Sequence, residues 1–370
     1  MRDLKKREIH WGERGRIILL DALPYSRNIS FTRIRSLRVT ARHFFTLAAS
    51  AQKPDVIVCA VPTLDLACAT TRYGKKYDVP VVLDYRDLWP DVFQDLFPRL
   101  LRPLVRVATE PFYRLANEAF PKATSVTGIT SEFVDLAMKF AGRARGALDR
   151  EFPLGYPDPQ IDSASVREAF TFWKTLGLAP DDGWTNFCFI GSLSNRMELP
   201  VLRDAFRELE NRGSNARIVI CGVGEMWEDV VGWSQTQGNL VAPGFIQTPQ
   251  IAALMKLCRG GLIPYPSTPD FVASVPNKAI EYMAGGLPII SSVQGVLKRL
   301  LEQEKIGMTY RNGDPAGLAD IVERLTRDDS LRSQLSAASR SLFENRFDAK
   351  IVYADFVSHL ECVGTRRRTS

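Results

Sequence analysis

Apolar and polar positions alternate along this chain in two periods. Short continuous apolar runs at 55–60, 79–84 and 124–127 read as buried parallel strands. Between them the spacing turns helical. Over Phe31–Ser50, Ile34, Leu37, Ala41, Phe44, Phe45 and Ala48 share one arc, with Arg35, Arg38 and Arg42 beside it. Helices are likewise expected over 63–76, 96–119 and 131–140. Residues 1–14 read as a polar lead-in and 16–23 as a strand. Further on, strands at 186–190, 216–221, 239–242 and 260–263 are interleaved with helices at 163–175 and 198–211. The chain closes on helices at 296–303, 315–327, 329–342 and 348–361. Strand–helix alternation of this kind predicts the α/β class with doubly wound sheets. The segment Pro153-Leu-Gly-Tyr-Pro157-Asp-Pro159 separates two such series and reads as a linker.

One stretch organises the second series: Ser274-Val-Pro-Asn-Lys278-Ala-Ile-Glu281-Tyr-Met-Ala-Gly-Gly-Leu-Pro-Ile-Ile-Ser-Ser292. It reads as a short helix over 276–284, a glycine stop at Gly285-Gly286, then a buried strand over 288–291. A helix N-terminus with a Lys in its first turn suits phosphate. Glu281 falls three residues after Lys278, on the same face. A cation for phosphates beside a carboxylate for a sugar diol is how a site reads a nucleotide sugar. Upstream, Gly191 ends a strand where backbone can approach a ligand, and Arg196 can pair bidentately with phosphate. Cys221-Gly222-Val-Gly224-Glu225 is a second glycine turn at a strand end. In the first series the strand at 79–84 runs into Asp84-Tyr-Arg-Asp-Leu-Trp-Pro-Asp91, and ligands bind beyond the carboxyl ends of such strands. Arg86, Asp87 and Trp89 are therefore expected to face a ligand; a loop held by an Arg–Asp pair with Trp89 as a plug is the plainer alternative.

These motifs resemble those of family 4 glycosyltransferases, which have the GT-B fold. The resemblance runs in order through Phe189-Ile-Gly-Ser-Leu-Ser-Asn-Arg196, Ile220-Cys-Gly-Val-Gly-Glu225, Pro243-Gly-Phe-Ile246, the 274–292 stretch, 307–314 and Ser341-Leu-Phe-Glu-Asn-Arg-Phe-Asp348. In the first half it rests on 84–91 and 153–157. It implies two Rossmann-like domains with a cleft between them: 1–155 on the acceptor side, 156–345 for the nucleotide sugar, and a helix at 346–370 crossing back to the first. It implies donor contacts from Gly191, Ser192, Arg196, Gly222, Gly224, Phe245, Ile246, Asn277, Lys278 and Glu281, with Phe245 and Ile246 meeting the base through their backbone. Arg196, Lys278 and Asp87 are the implied catalytic groups, and Arg86, Asp87 and Trp89 the acceptor-side ones. Front-face attack guided by the leaving phosphate needs no enzyme nucleophile, so a pair of hydrolase-type carboxylates is not sought. Two departures stand out. Where the family often carries the first Glu of Glu-x7-Glu, this chain has Ala273. The first strand–helix unit of the N-terminal domain is also missing from the pattern, which makes self-association an expectation.

Composition narrows the partners. The 370 residues suffice for two cored domains. Six cysteines form no CxxC pair, and with three histidines they give no zinc pattern. No Asp-x-Asp metal motif ends a strand, so no metal or other cofactor is expected, and protein cations take the diphosphate charge. Residues 1–155 hold 25 Lys+Arg against 17 Asp+Glu, a balance of +8; the remaining 23 against 25 give −2. The basic half carries arginine rows on 31–50 and on 96–119, where Arg99, Arg102 and Arg106 oppose Leu100, Leu101, Leu104, Val107 and Ala108. Such a face can lie on an anionic bilayer. It equally suits a surface helix with its stripe in the core. No signal-like or membrane-spanning stretch is visible, so the expected location is cytoplasmic, peripheral on the inner face of the membrane. The reading adopted is a retaining hexosyl- or N-acetylhexosaminyl-transferase. It moves sugar from a UDP-sugar to a lipid-linked or polysaccharide acceptor, with no nucleic-acid partner. An inactive GT-B relative that binds nucleotide or a partner enzyme, and a GT-B sugar-nucleotide epimerase, are the alternatives.

Overall fold

Residues 7–13, 15–25, 30–95 and 97–365 are described by the structure, a computed structural model. Two units emerge: Met1–Phe152 with Asp355–Ser370, and Pro153–Ala354.

The first unit opens on a hairpin. Strand β1 (Arg7–Trp11) pairs antiparallel with β2 (Gly15–Leu19), setting Ile9 opposite Ile17. This corrects two expectations: a strand over 7–11 lies within the polar lead-in expected over 1–14, whose residues 1–6 and 14 are outside the described residues, and the strand expected over 16–23 is shorter. Gly12, at φ 63°, lets the chain reverse, so β2 takes a local partner and stays outside the parallel sheet. Helix α1 (Phe31–Ser50) starts at Ser30, whose Oγ accepts the Arg33 amide at 3.2 Å. Then follow β3 (Ile57–Val61), α2 (Leu64–Tyr77), β4 (Val81–Tyr85) and α3 (Val92–Asp95). After α4 (Arg102–Ala119) come β5 (Ser125–Gly128), α5 (Ser131–Ala141) and the short β6 (Arg150–Glu151). The sheet is four-stranded and parallel, ordered β3-β4-β5-β6, with β4 buried along its length.

The single helix expected over 96–119 is broken. Arg99–Leu101 forms one 3-10 turn, and α4 starts only at Arg102, with Pro103 in its first turn; residue 96 lies outside the described residues. The C-terminal half of α4 enters the core through Thr109, Tyr113, Ala116 and Ala119. Its N-terminal half does not. Leu100, Leu104 and Val107 are 91%, 68% and 74% exposed, and Phe97 and Leu101 are exposed beside them. A contiguous apolar ridge therefore faces solvent, where the stripe-in-the-core alternative would have buried it.

The second unit is built on a six-stranded parallel sheet. Helix α6 (Ser163–Thr175) leads into β7 (Thr185–Ile190), α7 (Leu199–Asn211), β8 (Ala216–Cys221), α8 (Trp227–Thr236) and β9 (Leu240–Gly244). The chain returns through α9 (Thr248–Leu257) to β10 (Cys258–Ile263), α10 (Pro269–Val272), α11 (Asn277–Ala284) and β11 (Ile289–Ser291). It ends with α12 (Val296–Gln303), β12 (Gly307–Thr309), α13 (Pro315–Arg327), α14 (Asp329–Leu342) and α15 (Ala349–Thr365). Strand order is β12-β11-β10-β7-β8-β9. The chain winds outward from β7 to β9, then restarts at β10 on the other side of β7. That reversal is a topological switch point, and ligands of open α/β sheets bind beyond the carboxyl ends of the strands there. Strand β12, a three-residue edge too short and glycine-led to register as a strand in the pattern, completes the sheet.

The last helix belongs to both units. Its later turns pack on the first one, where the His359 ring lies 5.1 Å from that of Phe152 and 3.2 Å from the Ser125 hydroxyl. Among the described residues no helix is long and apolar enough to cross a membrane.

Candidate active site

The loops leaving β7, β8 and β9 are hydrogen-bonded to one another. Gly191 N–H donates to the Cys221 carbonyl at 3.0 Å, and Gly222 N–H to that of Gly244 at 2.8 Å. Gly222 has φ 136°, and a side chain there would collide with the Gly191 carbonyl. Leu193 exchanges backbone bonds with Val223 and Met226, and the Asn195 amide donates to Glu225 Oε2 at 3.1 Å. Sequence expectation thus placed Gly191, Ser192, Gly222 and Gly224 separately, and the fold joins them into one rim with their backbones close-packed.

Helix α11 is pinned beneath this rim by Tyr282, a motif residue to which the sequence reading assigned no role. The Tyr282 hydroxyl accepts the Ile190 amide at 3.0 Å and lies 3.4 Å from the Cys188 and Leu262 carbonyls, at the ends of β7 and β10. Gly261 makes this possible, since any side chain there would meet the Tyr282 ring. Pro276, the residue before the helix, is extended at ψ 147°, and its carbonyl takes the Ala279 amide at 2.9 Å, so the Asn277 and Lys278 amides head the helix. Asn277 is exposed at the first position. The glycine stop is real, with the left-handed residue at Gly286, φ 66°, rather than at Gly285.

Lys278 and Glu281 meet as expected, one turn apart. Lys278 Nζ is ion-paired with Glu281 Oε2, and Glu281 is only 7% exposed. Its other oxygen, Oε1, accepts a hydrogen bond from the Tyr156 hydroxyl at 3.2 Å. Burial holds the thiol of Cys221, the last residue of β8, well above its usual pKa, with the Lys278 charge acting against that rise. A buried carboxylate with two committed donors and an adjacent ammonium can accept a diol on one side and neutralise a diphosphate on the other.

Arg196 is engaged elsewhere in this state. Its Nη2 lies 3.2 Å from Asp270 Oδ2, and its guanidinium 5.8 Å from the Phe271 ring centre. The pair is half exposed on the arginine side, so it costs little to open. Asp270 stands near the place of the absent family Glu, and Ala273 itself is buried. Just after β9, Phe245 projects into solvent while Ile246 enters the core. Sequence reasoning missed Tyr156, Glu225 and Tyr282 as site-building residues. Tyr156 sat in a stretch whose prolines and glycine read as linker.

In the first unit, Asp84 at the end of β4 is buried and accepts from Thr127 Oγ1 at 2.9 Å and from Arg86 Nε. Trp89 is 9% exposed: its ring packs 4.6 Å from Phe93 and 5.9 Å from Phe112, under the Arg33 guanidinium at 5.3 Å. The Tyr85 hydroxyl donates to the Trp89 carbonyl at 3.0 Å. The loop thus has the plainer arrangement: the Trp89 indole packs inside it, and Arg86 pairs with Asp84 while its side chain stays partly exposed. Asp87 is half-buried and caps the turn through its carbonyl, which accepts the Trp89 amide at 2.8 Å. Among the described residues no group of three His, Cys, Asp or Glu side chains is gathered as a metal site.

Comparison with known proteins bears on both units. In sequence, the chain is 24% identical over 176 residues to the amylovoran biosynthesis glycosyltransferase AmsK of Erwinia amylovora, 46% of this chain and 43% of AmsK. It thus spans less than half the length of the curated relatives it matches. In structure, sucrose-phosphate synthase of Thermosynechococcus elongatus superposes with a TM-score of 0.73 at 16% identity, over 95% of this chain and 84% of that one. HepE of Anabaena, solved with UDP, gives 0.65 at 15% identity over 87% and 82%. Both likenesses concern the fold, which is the two-unit α/β architecture of GT-B proteins. Residues 185–328, from β7 to the helix after β12, match the model of the family described as glycosyl transferases group 1.

Proposed function

We propose that this chain is a retaining glycosyltransferase of family 4 that takes a hexosyl or N-acetylhexosaminyl group from a UDP-sugar. The observation that carries the reading is the Lys278–Glu281 pair at the start of α11, set against the glycine rim of β7 and β8 at the switch point. Glu281 accepts the ribose hydroxyls. Lys278 leaves Glu281 for the diphosphate, joined by Arg196 released from Asp270; the amides of Ser192, Gly224 and Asn277 complete the anion cradle, with Gly191 and Gly222 giving close backbone approach. The backbone at Phe245 and Ile246 meets the base. Charge on the departing diphosphate is neutralised by these groups, and Asp87 and Arg86 serve the acceptor side. The UDP in HepE and the amylovoran biosynthesis named for AmsK support a UDP-sugar donor and a lipid-linked or polysaccharide acceptor.

The acceptor is reached at a membrane surface, on the inner face in the cytoplasm. The exposed ridge Phe97, Leu100, Leu101, Leu104 and Val107 enters the interface, and the basic first half meets anionic headgroups. The test is a thermal-shift screen over nucleotide diphosphates and UDP-sugars, followed by turnover with a polyprenyl-phosphate-linked acceptor in vesicles. Stabilisation by UDP and release of UDP on acceptor addition support the reading. Binding without release supports a non-catalytic relative, and stabilisation by none of the nucleotides removes the donor site.

A further inference from the structure

We infer that Tyr156 is the positioning residue for Glu281, and that it carries donor occupancy to the two stretches by which the chain enters and leaves the second unit. The inference rests on the donor reading above. Tyr156 lies just inside the boundary at Pro153, and its hydroxyl donates to Glu281 Oε1 at 3.2 Å. Lys278 takes the other oxygen, Oε2. Each carboxylate oxygen has about two acceptor positions, so one remains open on each, the number a vicinal diol requires. With only one of the two donors, the carboxylate would be free to rotate away from that presentation.

The phenol is itself fixed from behind. Its backbone N–H donates to the Phe347 carbonyl at 3.0 Å, and the Ala349 amide donates to its own carbonyl at 3.1 Å. These bonds form a parallel bridge between Tyr156 and Asp348. The ring meets Phe343 edge-on at 6.5 Å. Gly155 lets Ala349 and Val352 of α15 pack directly on the preceding backbone, where a side chain would crowd both. The entering stretch at 153–157 and the leaving stretch at 347–349 are thus bonded to each other at the residue whose hydroxyl holds Glu281. Burial, and then the Glu281 charge, push the phenol pKa far above its ordinary value, so the group stays a donor across the working pH range.

The experiment is calorimetry of Tyr156→Phe, Glu281→Gln and the double variant against UDP and against inorganic pyrophosphate. Tyr156→Phe keeps the ring and removes only the hydroxyl. It is expected to weaken UDP binding about tenfold to a hundredfold, the effect of one hydrogen bond to a charged acceptor, and to leave pyrophosphate binding unchanged. The double variant should bind UDP no more weakly than Glu281→Gln alone, since Tyr156 acts through Glu281. Amide exchange read by mass spectrometry should slow at 153–157 and 347–349 when UDP binds the native chain, and not in Tyr156→Phe. Wild-type protein that ignores UDP would remove the donor reading itself. Native UDP affinity in Tyr156→Phe, additive losses in the double variant, or equal loss for pyrophosphate would overturn the inference.

Discussion

Lys278 and Glu281 neutralise each other one turn apart, so in the proposed donor site a diphosphate and a ribose share them. Lys278→Ala removes a charge-assisted bond to phosphate, and UDP binding should weaken by about 1.5–3 kcal/mol. Glu281→Gln should weaken uridine-containing ligands and spare pyrophosphate; calorimetry on both variants separates the two roles, and equal effects on both ligands would reject them. His359 gives a second prediction at this scale. Burial, then the nearby Arg150, lower its pKa from the usual histidine value. The unfolded chain therefore binds the proton more readily than the folded one. Stability is fully present above the unfolded pKa of about 6.5 and is lost as pH falls through it toward the folded value. The melting temperature should drop between about pH 7 and pH 5, and His359→Gln should flatten that drop; a slope unchanged by the substitution would remove His359 as its cause. Residues were legible in the sequence where one motif carried the whole geometry, as in Lys278 and Glu281. They were illegible where the partner is distant, as Tyr156 is from Glu281 and Tyr282 from Ile190.

At the scale of elements, α4 shows why an amphipathic wheel has two solutions. Opposed leucine and arginine rows describe a stripe, and only tertiary packing decides whether it meets a core, a bilayer or water. Here the N-terminal half overhangs the unit while Tyr113, Ala116 and Ala119 anchor the rest. Flotation with anionic vesicles should retain the protein at low salt. Leu104→Glu with Val107→Glu should abolish retention without lowering the melting temperature, because neither side chain is buried. Equal recovery with neutral and anionic vesicles would reject the membrane surface. The hairpin β1–β2 was misread for a related reason. Gly12 marks the reversal, and an isolated apolar strand carries nothing to say which sheet it joins.

At the scale of the molecule, the second unit was legible almost strand for strand. Glycine and proline punctuate its strand ends, and the Pro276–Gly286 segment fixes both ends of α11. The first unit was less so: its loop at 84–91 turned inward, with Asp84 taking Arg86 and the aromatic cluster taking Trp89. A site that relies on Lys278 and Arg196 to carry diphosphate charge should turn over in EDTA at an undiminished rate. Loss on chelation with recovery on Mg²⁺ or Mn²⁺ would assign that charge to a metal. The most direct test of the donor site is a calorimetric titration of the wild-type chain and Lys278→Ala with UDP. Saturable one-to-one binding by the wild type, weakened about tenfold to a hundredfold in the variant, is the predicted result. Absence of binding by the wild type, or equal affinity in both, would contradict it.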